Sequence, residues 1–330
     1  MANIGNLVDR TFREYLEPMD DLVSYTTLST GVNDSVTSIV FDGDMLSVEE
    51  EDALDKGTII EINQELMICT DLNAVTNTIT VKRGQRGTTA AAHNANALIK
   101  IAPTFPRQSV FDAIKDQVEN LYPTIYAIET KTVTAKTGIN VLSGSTDNYL
   151  VAPVKAISQY TDFDAGQDQT TSQFRGVSVE LVDLPNPFTY TDDAGASQTV
   201  TYTSGPSQVK AIQNYGITSG KTMYITFKKK FVVITAETDT LANIGLETEY
   251  EPIVMAGVAA QVVAGKDINK IDSAYITEQL NIANVPVGSS NTIRNALLQY
   301  QQLLLQQARK DLRARFPEPV TYNSINYSTT

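Results

Sequence analysis

The sequence predicts an α+β protein that combines a small antiparallel β-domain or barrel, a larger β-sandwich-like insertion and a C-terminal helical core. Apolar residues recur with helical spacing at the start and in the last third of the chain, whereas β-branched runs broken by turn residues fill most of the rest. With 330 residues, of which 42% are hydrophobic, the chain can bury a substantial core. We expect an N-terminal helix (1–23), a small β-domain (24–104), a connecting helix (105–127), a β-sandwich-like domain (128–250), a helical core (251–316) and an extended arm (317–330).

The first third of the chain alternates between helical and strand patterns. Helical spacing over residues 4–17 predicts a short amphipathic helix that stops at Pro18. Strands are then predicted at residues 36–41, 58–62, 66–70, 78–82 and 97–101. Helical spacing returns at 107–121, between Pro106 and Pro123, and predicts a helix between the two β regions.

Residues 128–249 are again typical of strands. The clearest runs are 177–182, 198–202, 223–227 and 231–235, with glycine, proline and aspartate clustered between them. The basic run Lys228 to Lys230 follows one of these strands. Such a run can contact nucleic acid, but between strands lysine is more typical of a sheet rim or edge, where it discourages aberrant pairing.

The last third predicts helices at residues 253–264, 267–282 and from a cap at 289–291 to about 315. The final helix carries an apolar stripe that needs a partner surface, and we interpret it as an assembly face: Ile293, Leu297, Tyr300, Leu304 and Leu312. An extended arm follows, which a monomer would leave disordered and which includes Phe316, Pro317, Pro319, Tyr322 and Tyr327.

The charge of the chain is strongly acidic. Against 25 basic residues stand 38 acidic ones, a formal net charge of −13, which argues against a protein that grips nucleic acid by neutralising phosphates. That sign suits a pore through which DNA slides, although it equally serves solubility alone. The single cysteine, Cys69, excludes an intrachain disulfide and is predicted to be a buried apolar residue. We expect no membrane span.

Signatures of catalysis are absent from the sequence. It has one histidine and no nucleophile elbow, C-x-x-C pair, H-E-x-x-H helix or glycine-rich phosphate loop, so we expect no catalytic residue and no cofactor. Asp162, Asp164 and Asp168 are weak candidates for a calcium site, but the loop departs from the EF-hand pattern and a solvated loop is the favoured interpretation. The acidic run at 49–52 lacks the second wall of a sugar cleft.

The most informative segment is the turn that contains Arg83, Gly84, Gly87, Thr88 and His93. A strand ends at Arg83, and the two glycines permit a tight reversal before the next strand. We expect Arg83, Thr88 and His93 to form hydrogen bonds across this turn, which favours a structural role for the histidine.

These residues follow the pattern R-G-x-x-G-T-x-A-x-x-H, which resembles a turn that recurs in structural proteins of tailed bacteriophages. The pattern is found in connector, baseplate and tail-tip components alike. A second resemblance concerns the segments 253–257, 285–289 and 312–317, which look like the helical core of the phage adaptor proteins that sit under the portal.

The resemblance implies a non-enzymatic subunit of the head-to-tail connector, made in the bacterial cytoplasm and built into the virion. Its partners would be further copies of itself in a ring, commonly of twelve copies, the portal protein and the next neck or tail protein. Double-stranded DNA would pass through the lumen without specific binding. The arm at 317–330 would then order on a neighbouring subunit, and its ordering cost of about 1 to 2 kcal/mol per residue requires a large repeated interface.

Two alternatives remain open from the sequence. The turn pattern fits a baseplate or tail-tip protein equally well. The β regions also fit a carbohydrate-binding or glycan-cleaving module, although the absence of tryptophan counts against a sugar-stacking platform.

Overall fold

The protein is described by a computed structural model, and the prediction of an α+β fold is confirmed. The structure describes residues 2–16, 24–42, 54–73, 75–136, 139–144, 146–162, 171–191, 195–201, 208–215, 220–264 and 290–316. The chain divides into two compact units. The first comprises Met1–Gln117, Ala236–Thr238 and Glu251–Leu303, and the second comprises Val118–Thr235, Asp239–Tyr250 and Leu304–Thr330.

Six strands of the first unit form one antiparallel sheet. They are β1 (Ser24–Thr27), β2 (Ser38–Val40), β3 (Ile59–Ile62), β4 (Glu65–Asn73), β5 (Thr78–Lys82) and β6 (Leu98–Ile101), in the order β1-β6-β3-β4-β5-β2. The sheet curls, and an antiparallel bridge between Leu28 and Phe41 joins its two edge strands. Its concave side is a continuous apolar cluster that includes Ile60, Met67 and the predicted buried thiol of Cys69, which is fully inaccessible.

The helices are α1 (Ile4–Thr11), α2 (Arg107–Leu121), α3 (Leu241–Ile244), α4 (Glu251–Val263) and α5 (Ser290–Arg315). The bounds of α2 match the prediction, and α4 and α5 lie close to theirs. In α4 apolar residues surround the axis and nearly every side chain is buried, as expected of a central helix. None of the described helices is long and apolar enough to cross a bilayer. The predicted helix at 267–282 lies outside the described residues.

The first helix is shorter than predicted. The α-helix ends at Thr11, whose hydroxyl donates to the Leu7 carbonyl oxygen at 2.8 Å, and the chain continues as a π-helical turn, Phe12–Leu16. A hydroxyl that bonds the carbonyl one turn back weakens the regular helical ladder at that point. The wider turn keeps Phe12 and Leu16 buried.

Nine strands of the second unit form three antiparallel sheets. They are β7 (Ala127–Thr134), β8 (Ile139–Val141), β9 (Leu150–Asp162), β10 (Thr171–Gly176), β11 (Ser178–Leu184), β12 (Phe188–Thr191), β13 (Ser197–Val200), β14 (Val209–Tyr215) and β15 (Thr222–Lys229). Their orders are β10-β9-β15-β7, β11-β14-β8 and β12-β13. Ile212 of β14 shares one buried cluster with Met223, Ile225 and Phe227 of β15, so the two larger sheets face each other across a sandwich-like core.

One strand prediction for this unit is wrong. Residues 231–235 form no strand: Phe231 and Ile234 are buried while Val233 is exposed, but no neighbouring strand completes a ladder along this segment. Of the two positions expected for the lysine run, the structure has the rim of a sheet rather than an edge: Lys228 and Lys229 end β15, which pairs with β7 on one side and β9 on the other. A central position is tolerated because the Nζ of Lys229 donates to Glu129 Oε2 at 2.5 Å.

Candidate functional site

The turn singled out from the sequence closes over one buried carboxylate, that of Glu65 at the start of β4. The Glu65 residue is 1% exposed. Its carboxylate oxygens accept hydrogen bonds from Arg83 Nε at 2.8 Å and Arg83 Nη2 at 2.6 Å, from the backbone N–H groups of Gly84 and Ala91 at 3.0 Å each, and from His93 Nε2 at 2.9 Å. We call these residues the Glu65 cluster.

Arg83 is the member of the cluster that reaches furthest. Its planar fork meets both oxygens of Glu65, the bidentate geometry in which guanidinium and carboxylate pair most strongly. Its remaining nitrogen, Nη1, donates to the carbonyl oxygens of Asn33 and Val36 at 2.8 and 2.9 Å. One side chain therefore ties together β4, the turn and the loop that precedes β2.

Both ring nitrogens of His93 lie within hydrogen-bond distance of a polar side chain. The His93 residue is 4% exposed, and its Nδ1 lies 3.2 Å from the Nδ2 of Asn63. Because an amide nitrogen only donates, Nδ1 accepts and the proton lies on Nε2, where it is donated to Glu65. Both ring nitrogens are thereby satisfied, and the ring links Asn63 to Glu65.

The remaining motif residues shape the turn itself. The Thr88 hydroxyl donates to the Gln85 carbonyl oxygen at 2.8 Å and accepts from the Leu66 backbone N–H at 3.1 Å. Gly84 has φ +60°, and a Cβ there would lie 3.1 Å from the Thr88 carbonyl oxygen. The glycine is therefore required by both conformation and close approach. Gly87 has φ +86° but open space around it.

Electrostatics favour the charged state of the cluster. Burial alone would raise the pKa of Glu65, but the hydrogen bonds from Arg83, Ala91, His93 and Gly84 outweigh that effect and lower the pKa to about 2. Glu65 is therefore ionised at neutral pH, and its charge is neutralised by Arg83. A closed, satisfied cluster of this kind joins the turn to the sheet.

Glu65 is not among the site residues that the sequence predicts. The sequence does predict the hydrogen-bonding residues Arg83, Thr88 and His93, but they meet at Glu65 and around Leu66 rather than with one another. The motif did contain a usable signal. A buried arginine needs a carboxylate partner, and Glu65 lies at the start of β4, the strand that pairs with β5 just before Arg83.

A second buried carboxylate, Glu61 in β3, was also missed. The Glu61 residue is 1% exposed. Its Oε1 accepts from the backbone N–H of Arg107 at 2.6 Å, at the start of α2, and its Oε2 has no hydrogen-bond partner among the described residues. Lys100 Nζ is 3.9 Å from Oε2. Burial raises the pKa of Glu61 to about 7 against the lowering effects of Arg107 and Lys100.

The other predicted site residues stand apart from this cluster. In the predicted assembly face, Ile293, Leu297 and Leu312 are buried within the chain, and Tyr300 and Leu304 are half-buried. Of the arm, Phe316 is described and half-buried; Pro317, Pro319, Tyr322 and Tyr327 lie outside the described residues. The same holds for the calcium candidates Asp164 and Asp168 and for the side chain of Asp162.

Comparison with known proteins adds no relative to this picture. The chain matches no protein-family model and no curated protein.

Proposed function

We propose that the protein is a structural subunit of a phage head-to-tail connector, an adaptor ring docked on the portal with DNA passing through its lumen. The observation that carries the proposal is the Glu65 cluster. The residues that resemble phage virion proteins form a single buried fastening in the structure, with Arg83 and His93 both bonded to Glu65. A virion component has to hold its shape, and a fully satisfied buried network does this.

The charge of the chain supports passage of DNA rather than its capture. A net charge of −13 repels phosphates at distances up to the Debye length, about 8 Å at physiological salt. A lumen lined by such a surface would let the genome slide without specific contacts.

The surface left for assembly differs from the stripe that the sequence predicts. Ile293, Leu297 and Leu312 are buried within the chain, so any contact that α5 makes with another subunit would rely mainly on its exposed residues. Leu303 is 64% exposed on this helix, and it offers an apolar contact for a neighbouring subunit or the portal.

Mass measurement of the purified protein, alone and mixed with the portal protein, tests the proposal directly. We expect a discrete oligomer whose mass is a multiple of 36.0 kDa, visible as a ring by negative-stain microscopy and bound to the portal. A monodisperse monomer that binds neither portal nor tail proteins would contradict the proposal.

Lysates of a phage that lacks the protein distinguish the connector from a baseplate or tail-tip component. Loss of a connector subunit should leave heads and complete tails that fail to join. Loss of a tail-tip protein should instead leave heads without any assembled tails. The position of the gene gives a second discriminator, because connector genes are expected just downstream of the portal and major capsid genes.

A further inference from the structure

A basic pocket lies at the C-terminal end of α5, within the second unit. It has a volume of about 350 Å³ and is lined by Tyr122, Pro123, Thr124, Tyr126, Lys228, Arg309, Leu312 and Arg313. Leu312 and Tyr126 are buried and form its floor, whereas Arg309 and Arg313 are exposed at its mouth. We call this cavity the basic pocket.

Three cationic side chains converge on the basic pocket. Arg309 and Arg313 are one helical turn apart, which places like charges side by side on α5. Neither has a carboxylate partner among the residues that the structure describes. By contrast, Arg315 on the same helix pairs with Glu249 at 2.7 Å. In a chain with a net charge of −13, converging cations of this kind indicate a site for an anion.

The aromatic residues of the pocket narrow the class of ligand. The Lys228 Nζ lies 4.7 Å from the centre of the Tyr126 ring, so the cation and the ring already share one wall. Together with Leu312, the tyrosines provide apolar surface next to the guanidinium groups. The combination fits a segment that carries carboxylates beside apolar side chains, because guanidinium groups bind carboxylates in a bidentate manner.

We propose that the basic pocket binds the acidic segment at residues 43–53 of a second copy of this chain. That segment contains Glu49, Glu50, Glu51 and Asp52, the longest acidic run in the sequence, and apolar residues immediately before it. The segment lies outside the described residues. The volume of the pocket is at the small end of ligand sites, roughly 300 to 1,000 Å³, and suits a few side chains better than duplex DNA, which the overall charge also repels.

The contact deepens the proposed function and rests on it. A pocket on one copy and an acidic segment on the next form a head-to-tail interface, which generates a ring when the rotation between subunits closes. The basic pocket would thus be one of the repeated contacts that hold the ring together.

A charge-swap experiment tests the contact in the full-length chain. The double variant Arg309→Glu/Arg313→Glu and the double variant Glu50→Arg/Glu51→Arg should each fail to form the oligomer. Mixed together, they should assemble, because the acidic segment of the first meets the unaltered pocket of the second, and the reversed charges meet each other at alternate interfaces. Lys310→Glu, on the same helix but outside the pocket lining, is the matched control and should assemble normally.

The same variants distinguish the other occupants. If the mixture of the two double variants fails to assemble but a single chain carrying both double substitutions does assemble, the acidic segment binds the pocket of its own chain. That result would overturn the proposal. Binding of a duplex DNA fragment that is lost in Arg309→Glu/Arg313→Glu would also overturn it, as would normal assembly of either double variant.

A synthetic peptide of residues 43–53 separates failure of this inference from failure of the proposed function. We expect the fluorescently labelled peptide to bind the wild-type chain and to bind Arg309→Glu/Arg313→Glu about tenfold or more weakly, since like charges then face each other. If the peptide binds but the wild type never forms rings, the connector proposal fails and the pocket assignment stands. If rings form but the peptide does not bind, the pocket assignment fails alone.

Discussion

Glu65 and Glu61 are equally inaccessible, yet their surroundings shift their pKa values in opposite directions. Glu65 has five hydrogen-bond donors around it, and they keep it ionised. Glu61 has one backbone donor and a distant lysine, so burial dominates and its pKa is raised to about 7. The number of donors aimed at a buried carboxylate therefore decides its charge.

Glu65→Gln should destabilise the first unit by roughly 3 to 5 kcal/mol, because it leaves the guanidinium of Arg83 buried without its counterion. Denaturant unfolding followed by circular dichroism measures the loss. Gln64→Ala, at the exposed neighbouring position, is the control and should stay within about 0.5 kcal/mol of the wild type. An equal effect of both substitutions would contradict the role of the cluster.

The pH dependence of the Glu65 contribution has a definite sign. Its pKa is lowered from 4.5 to about 2, so its stabilising effect is fully present above pH 4.5 and is lost as the pH falls through about 2. The difference in unfolding free energy between the wild type and Glu65→Gln should therefore narrow on acidification. A constant difference would exclude ionised Glu65 as its cause.

Glu61→Gln should show the opposite behaviour. Because the pKa of Glu61 is raised from 4.5 to about 7, its favourable contribution is fully present below pH 4.5 and disappears as the pH rises through about 7. The variant should gain stability relative to the wild type between about pH 5.5 and about pH 8.5, by roughly 2 kcal/mol. Thermal unfolding at the two pH values measures this, and a parallel response would contradict it. The nearby charges of Lys100, Arg107 and Glu237 remain in place in both proteins.

Residues that belong to a recognisable motif can be identified from the sequence, whereas the buried residues that they contact are harder to identify. Arg83, Thr88 and His93 stand out because they share a recognisable pattern. Glu61, in contrast, alternates with Ile60 and Ile62 in a way that predicts an outward-facing side chain. It is buried because the start of α2 covers that face of β3, and Arg107 bonds to it. Such coverage depends on tertiary packing, which strand periodicity does not contain.

At the scale of elements, a strand or helix is predictable from the sequence where the pattern of its own residues is enough to fix its bounds. The bounds of β5 and α2 follow from local pattern alone. The longest strand, β9, was not predicted because Pro153 interrupts its pattern. The structure accommodates Pro153 opposite Phe227, at a register shift between β9 and β15, where a bulge removes the need for its missing N–H. Residues 231–235 show the opposite case. Their residue types favour a strand, but no adjacent strand among the described residues pairs with them, and they form none.

The lysine run at the end of β15 provides a test of the central-strand assignment. Lys229 is 6% exposed and pairs with Glu129. Burial alone would raise the pKa of Glu129, but the hydrogen bonds from Lys229 and Lys131 outweigh it and lower that pKa. Lys229→Ala should cost about 1 to 3 kcal/mol in unfolding free energy. The adjacent exposed Lys230, which contacts only the ring of Tyr122 in the described contacts, should cost less than about 1 kcal/mol when changed to alanine. Equal costs would argue for an edge position.

Three helices of the first unit meet through glutamines. Gln117 of α2 donates to Gln261 of α4 at 2.9 Å and accepts from Gln301 of α5 at 2.9 Å. The amides cross above Gly257, where any Cβ would collide with Gln117 and Gln301. The absence of a side chain at Gly257 therefore allows the three helices to share one polar ladder.

Gly257→Leu should destabilise the first unit by about 1 to 3 kcal/mol through overpacking, despite the better helix propensity of leucine. The double variant Gly257→Leu/Gln117→Ala removes one of the amides that collides and should recover part of the loss. A denaturant double-mutant cycle measures the coupling. Additive effects would mean that the two positions do not share space.

At the scale of the whole molecule, assembly is expected to depend on parts that the fold does not need. A chain that ends at Phe316 keeps every described helix and strand, so its circular dichroism and midpoint of thermal unfolding should match those of the full chain. If the arm orders on a neighbour, the same truncation should abolish the oligomer that we expect for the full chain, which mass measurement would detect. Tyr322→Ala and Tyr327→Ala make point changes within the arm of the full-length chain, and they should weaken the oligomer without changing the midpoint of thermal unfolding. Undiminished rings from the truncated chain would exclude the arm from assembly.

The bridge between Leu28 and Phe41 has a consequence for crowded assemblies. By joining β1 to β2, it turns the two edges of the curled sheet towards each other and leaves little backbone to template a foreign strand. Copies packed side by side at very high local concentration are then protected from merging through this sheet. Any recognition that the curled sheet takes part in has to come from its side chains, which can be specific for one neighbour and one orientation.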